Sequence, residues 1–132
     1  MPRRRLATAA GLLVLVGGVS ACGSSGVKVA KDDPTHAGAQ LFAQRCAGCH
    51  TLDVVGTEGS AVKIRDRERV DGPNFNTRKE TKDQVLYAIR NGGFSGAIMP
   101  ENILVGDQAN QVADFLAKYS GKQAKAPKGP GQ

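Results

Sequence analysis

The chain has 132 residues, 18 basic against 12 acidic for a formal charge of +6, and 5% aromatic residues with no Trp. That length accommodates one small domain with extensions. No basic stripe interleaved with aromatics is present, so nucleic-acid binding is not expected.

Residues 1–21 read as an export signal. Arg3, Arg4 and Arg5 make a basic start, and Leu6 to Val19 is uncharged and largely apolar. The apolar run is shorter than the roughly 18 to 20 residues of a spanning helix, and small residues follow it. The sequence Val19-Ser20-Ala21-Cys22 resembles a bacterial lipobox. That resemblance implies cleavage before Cys22 and diacylation of its thiol, and two acyl chains suffice for stable anchoring. An ordinary soluble signal with a chance Cys and an uncleaved N-terminal anchor are the competing readings. Cleavage takes the 18 basic residues to 15 against 12 acidic, a net charge of +3, so much of the basic balance belongs to the signal.

Residues 22–34 carry the lipidated Cys22 and a flexible linker ending at Pro34. As flexible coil the linker reaches about 20 Å. The domain itself is expected over 35–121. Residues 122–132, rich in Lys, Pro and Gly, present no apolar face, and disorder is expected there. A core of this size is marginal alone.

The domain reads as helical. A first helix starts near Thr35 and runs to about Cys46, with Leu41 and Phe42 apolar. Thr81-Lys82-Asp83-Gln84 has the form of a capping box. It opens a second helix with Val85, Leu86 and Ile89 on one face, ending before Gly92-Gly93. A third helix is expected from Asp107 to about Ser120, with Val112, Phe115, Leu116 and Tyr119 inward and Gly121 as its stop. No alternating strand pattern is evident.

The decisive motif is Cys46-Ala47-Gly48-Cys49-His50. Two thiols two residues apart with His next is the c-type haem attachment signature. Each thiol can add to one vinyl group of the porphyrin, and His50 can reach the iron as proximal ligand. A thioredoxin-like redox pair would follow a strand in a βαβ setting, and none precedes Cys46. A structural zinc site needs four ligands, and only Cys22 and His36 could supplement the motif. A local disulfide would leave His50 unexplained. With Cys22 assigned to lipid, the three cysteines are all accounted for.

An electron carrier needs a second axial ligand. Met1 leaves with the signal, so Met99 is the one thioether of the mature chain. Pro100 restricts the backbone of Met99 to extended values. A lone Met is otherwise a core filler. His36 is the rival ligand, but it lies about 15 Å along the same helix from Cys46 at 1.5 Å per residue, and it reads as a surface residue. Met/His ligation raises the potential relative to two histidines and fills both axial positions.

From Thr35 to Gly121 the sequence resembles the class I cytochrome c family. The resemblance rests on Gly38 and Phe42, the haem pentapeptide, Gly72-Pro73-Asn74, Met99-Pro100 and the Phe115-Leu116 helix. It implies a small all-α cytochrome c fold, three or more helices wrapped around one covalently bound haem c, with crossing N- and C-terminal helices. It implies that Gly38 and Phe42 meet the Phe115 region and that the Pro73 carbonyl accepts a hydrogen bond from His50. Pro73, Asn74, Leu86, Ile98, Pro100, Phe115 and Leu116 complete the expected haem pocket. Asn74, Tyr87 and several arginines are candidate partners of the propionates. The 51–71 stretch is longer than in many compact bacterial members. It reads as a solvated loop, or else its alternating charges from Lys63 to Arg69 form a docking element for a redox partner.

The leading expectation is a monomeric, membrane-tethered single-electron shuttle on the outer face of a bacterial cytoplasmic membrane. The resemblance implies redox partners: a quinol-oxidising complex, a terminal oxidase or a dehydrogenase. No substrate pocket or acid-base pair points to an enzyme. The alternatives are a five-coordinate haem gas sensor or peroxidase-like protein, an electron-relay subunit of an exported dehydrogenase, and a haem-free redox dithiol.

Overall fold

The computed structural model describes residues 26–61, 64–94 and 98–122. The expected export signal, the expected lipidation site Cys22, Val62, Lys63, Ser95 to Ala97 and the tail from Gln123 lie outside the described residues. Helix α1 is His36–Arg45, strands β1 and β2 are Thr51–Leu52 and Thr57–Glu58, and helices α2 and α3 are Lys82–Asn91 and Gly106–Tyr119. Short 3-10 turns occupy Asp53–Val55 and Ile64–Asp66. No helix among the described residues is long and apolar enough to cross a membrane.

The three helices form where the apolar spacing places them. Helix α1 buries Gly38, Ala39 and Phe42 on one face, the i, i+3/i+4 spacing of an inward stripe. Helix α3 buries Ala109, Val112, Ala113, Phe115 and Leu116. The two pack together at Gly38. A Cβ there would stand 2.1 Å from the Gln111 carbonyl oxygen and 2.9 Å from Phe115 Cβ, so only glycine permits the approach. Phe42 fills the adjoining space, with ring centroids 5.8 Å from Phe115 and 5.9 Å from Phe75.

Helix α2 opens with the anticipated capping box. Gln84 N donates to Thr81 Oγ1, and Thr81 N donates to Gln84 Oε1 at 2.8 Å. The helix ends at Gly92, whose φ of 69° is left-handed and suits a residue without Cβ.

Three expectations are corrected. Thr35 begins α1 by position but makes no capping bond; its N–H and hydroxyl both donate to Asp33 Oδ1. Residues 27–34 are not a free linker. Val29 is buried in the core, Lys28 N donates to Val54 O at 2.8 Å, and the Val29 carbonyl pairs with His36 Nδ1 at 3.0 Å. Asp33 accepts from Lys118 Nζ and Tyr119 Oη, each at 2.6 Å, which ties this segment to the end of α3. The third correction is a small antiparallel hairpin, Thr51 opposite Glu58 and Leu52 opposite Thr57. Leu52, Val55, Thr57 and Ser60 are buried, whereas residues 65–70 are exposed. The long stretch after His50 is thus half core and half surface.

Candidate functional site

Cys46 is the C-cap of α1, and the chain turns at once. Cys49 N and His50 N both donate to the Cys46 carbonyl, at 3.2 and 3.0 Å. This turn gathers the two thiols and the imidazole, and all three line one cavity. Both thiols are unbridged, Cys46 half-buried and Cys49 exposed. Burial first, and the neighbouring Cys49 second, push the Cys46 thiol up to about 12, so it is a neutral thiol at neutral pH.

His50 is held from three sides. Its Nδ1 donates to the Pro73 carbonyl at 3.1 Å. Phe75 stacks on the ring with centroids 4.7 Å apart and planes 17° from parallel. Gly72 lies against the imidazole edge, and its N–H donates to the Cys49 carbonyl at 2.7 Å. Burial lowers the His50 pKa; the Pro73 bond opposes this, and the Arg78 charge lowers it further. The ring is therefore neutral, with its proton on Nδ1 and Nε2 free, the state a metal ligand requires.

The hairpin supports the motif from behind. A Cβ at Gly59 would fall 2.2 Å from the Ala47 carbonyl oxygen and 2.7 Å from His50 N. Gly59 N donates to His50 O. Thr51 Oγ1 donates to Ser60 O and accepts from Ser60 N.

The cavity holds about 370 Å³, within the range of cofactor sites. Val85, Ala88 and Ile89 of α2 and Val112 and Leu116 of α3 line it. Ile98, Met99, Pro100 and Ile103 supply the loop side. Met99 is half-buried. Its carbonyl oxygen lies 2.7 Å from where a Gly92 Cβ would be, and Asn102 N donates to Ile89 O at 2.7 Å. The end of α2 thereby anchors the methionine loop.

Of the residues expected in the pocket, Pro73, Ile98, Pro100 and Leu116 are on the wall, and Asn74, Leu86 and Phe115 are not. Phe115 is fully buried between Phe42 and Tyr119. The Asn74 side chain accepts from Asn76 N, and its carbonyl accepts from Arg78 N. Leu86 sits one residue, about 100° of helix turn, beyond Val85. Tyr87 is exposed and stacks on Phe94. His36 lies off the cavity, paired with the Val29 carbonyl. Among the described residues, no group of three His, Cys, Asp or Glu is placed to hold a metal ion.

The sequence reading overlooked Phe75, Gly59 and an ion pair on the wall, Arg78 with the buried Glu80. Opposite charges two residues apart, just before a capping box, were the available signal for that pair.

The wall fits a haem. It is mainly apolar, two thiols stand at its edge, and a neutral imidazole is fixed in the tautomer that leaves one nitrogen for iron. These features, with the order of motifs along the chain, define a class I c-type cytochrome domain. The family model described as Cytochrome C oxidase, cbb3-type, subunit III matches residues 33–116, and the chain belongs to that family. Among curated proteins and among solved structures nothing matches.

The domain binds one haem c, and its function is electron transfer. The bound haem supplies a one-electron ferric/ferrous couple. Pro73 fixes the His50 tautomer and makes the ring a stronger donor, while the apolar side chains of α2 and α3 exclude water.

Proposed function

We propose that the protein is a lipid-anchored, monomeric electron shuttle of a respiratory chain, held by diacylated Cys22 to the outer face of the cytoplasmic membrane. Cys46 and Cys49 carry the haem thioethers, and His50 and Met99 are the axial ligands. The observation that carries this reading is that Cys46, Cys49, His50 and Met99 line one and the same cavity among the described residues. A ligand set complete at both axial positions leaves no open coordination site, so the protein is a carrier and not an enzyme or gas sensor. The family's oxidase description supports a terminal oxidase as acceptor, with a quinol-oxidising complex or a dehydrogenase as donor.

The domain can stray less far from the membrane than a free linker over residues 23–34 would allow. Residues 27–34 are packed on the helices, which leaves only residues 23–26 between the lipidated Cys and the folded unit.

Intact mass of membrane-extracted protein tests the reading in one measurement. The expected species starts at Cys22 and carries one haem and one diacylglycerol. A chain that retains residues 1–21, or lacks the lipid mass, would overturn the anchor. A pyridine haemochrome assay with no signal would overturn the haem-based function.

A further inference from the structure

The cavity wall contains one buried acid. The Glu80 side chain is 5% exposed, its N–H donates to Ser120 Oγ at 2.9 Å, and its carboxylate pairs with Arg78. Burial of a carboxylate is costly unless it is paired, so a reason for its presence is needed. The contact runs through Arg78 Nε, which leaves guanidinium N–H donors for a second acceptor. Arg45 and Arg69 also line the cavity, yet among the described residues no ion pair holds either. Arg78 is the cation that an ion pair anchors on this wall.

We propose that Glu80 is a positioning residue for the redox centre: it holds Arg78 on the cavity wall so that the guanidinium donates to a haem carboxylate, and the two charges together set the reduction potential. This rests on the haem site described above. A negative charge near the iron favours the ferric state, and a positive one favours the ferrous state.

The experiment is optical redox titration of the haem-loaded parent, E80Q, R78Q and R78Q/E80Q, each with a thermal melt. E80Q removes the negative charge but keeps an amide oxygen that can accept from Arg78 Nε, so the guanidinium stays in place and the midpoint potential should rise. R78Q removes the positive charge and should lower it. Each single change should move the ferrous-to-ferric ratio at fixed potential roughly tenfold, which is 59 mV for one electron. The double variant should return toward the parent. If R78Q fails to fold around its lone buried carboxylate, the double variant carries the comparison, since it leaves no unpaired charge. Its potential should fall below that of E80Q. Melting points that drop while all potentials stay put would make the pair merely structural and overturn the proposal. So would shifts of the same sign in both single variants, or a double variant equal to E80Q. A colourless parent would overturn the haem site and the proposal together.

Discussion

A Cβ on Gly72 would lie 2.3 Å from Cε1 of His50 and 2.5 Å from Nδ1, the atom bonded to the Pro73 carbonyl. The contact is with the imidazole itself, in a ring already stacked on Phe75. Gly72 therefore sets the plane of the His50 imidazole by taking up no room beside it.

Gly72→Ala should consequently disturb the site more than the fold. The added methyl must push the ring off Phe75 or break the Pro73 bond, with an overpacking cost of about 1–3 kcal/mol. The expected readout is a modest loss in denaturant midpoint together with a changed ferric spectrum. An unaltered spectrum would mean that the ring has slack the geometry does not indicate.

Phe42 joins the two halves of the interior, touching Phe115 on α3, Phe75 and the His50 ring at a centroid distance of 6.3 Å. Phe42→Ala should cost about 3–5 kcal/mol by lost burial and the cavity left behind. Guanidinium unfolding should show a lower midpoint with the slope unchanged. A cost below about 1 kcal/mol would mean that α1 and α3 collapse to fill the gap.

The parts legible in the sequence were those with a local chemical signature. The haem pentapeptide, the Thr81/Gln84 box and Gly92 each act within a few residues. The hairpin was invisible because strands of two residues cannot display alternation. The docked segment 27–34 reads as polar linker because its attachments are mostly hydrogen bonds to distant groups, such as Asp33 to Lys118 and Tyr119. Two of the three pocket misassignments, Leu86 and Phe115, were errors of helical phase; Asn74, in a loop, turns its side chain to Asn76 N instead. Val112 and Leu116, four apart, line the cavity, while Phe115 points to α1. Hydrophobicity alone cannot distinguish an inward face toward a cofactor from one toward another helix.

The Asp33 clamp predicts an acid dependence. Bonds from Lys118 and then Tyr119, helped by Thr35, hold the Asp33 carboxyl well below the usual carboxylate range. The folded state thus binds this proton more weakly than the unfolded state. The stabilisation is present above the unfolded value of about 3.9 and is lost as pH falls through the lower folded value. Asp33→Asn should lower the melting temperature at pH 7 and narrow the gap to the parent on acidification below about pH 4. A gap that stays constant with pH would mean that the clamp acts without its charge.

Met99→Leu separates the sulfur from the space it occupies. The two side chains are close in volume, and such exchanges usually cost under about 1.5 kcal/mol, so the fold should survive with the loop still seated on Gly92. The iron, in contrast, would lose a thioether for a hydrocarbon that cannot ligate. The expected result is loss of the weak far-red sulfur-to-iron band in the ferric spectrum, together with high-spin features. The ferrous form should bind carbon monoxide readily, and the midpoint potential should move as the Met/His pair is broken. A variant that keeps the parent's spectrum and refuses carbon monoxide would show that Met99 merely packs the wall. The axial assignment would then be withdrawn, while the Cys46, Cys49 and His50 side of the site stood.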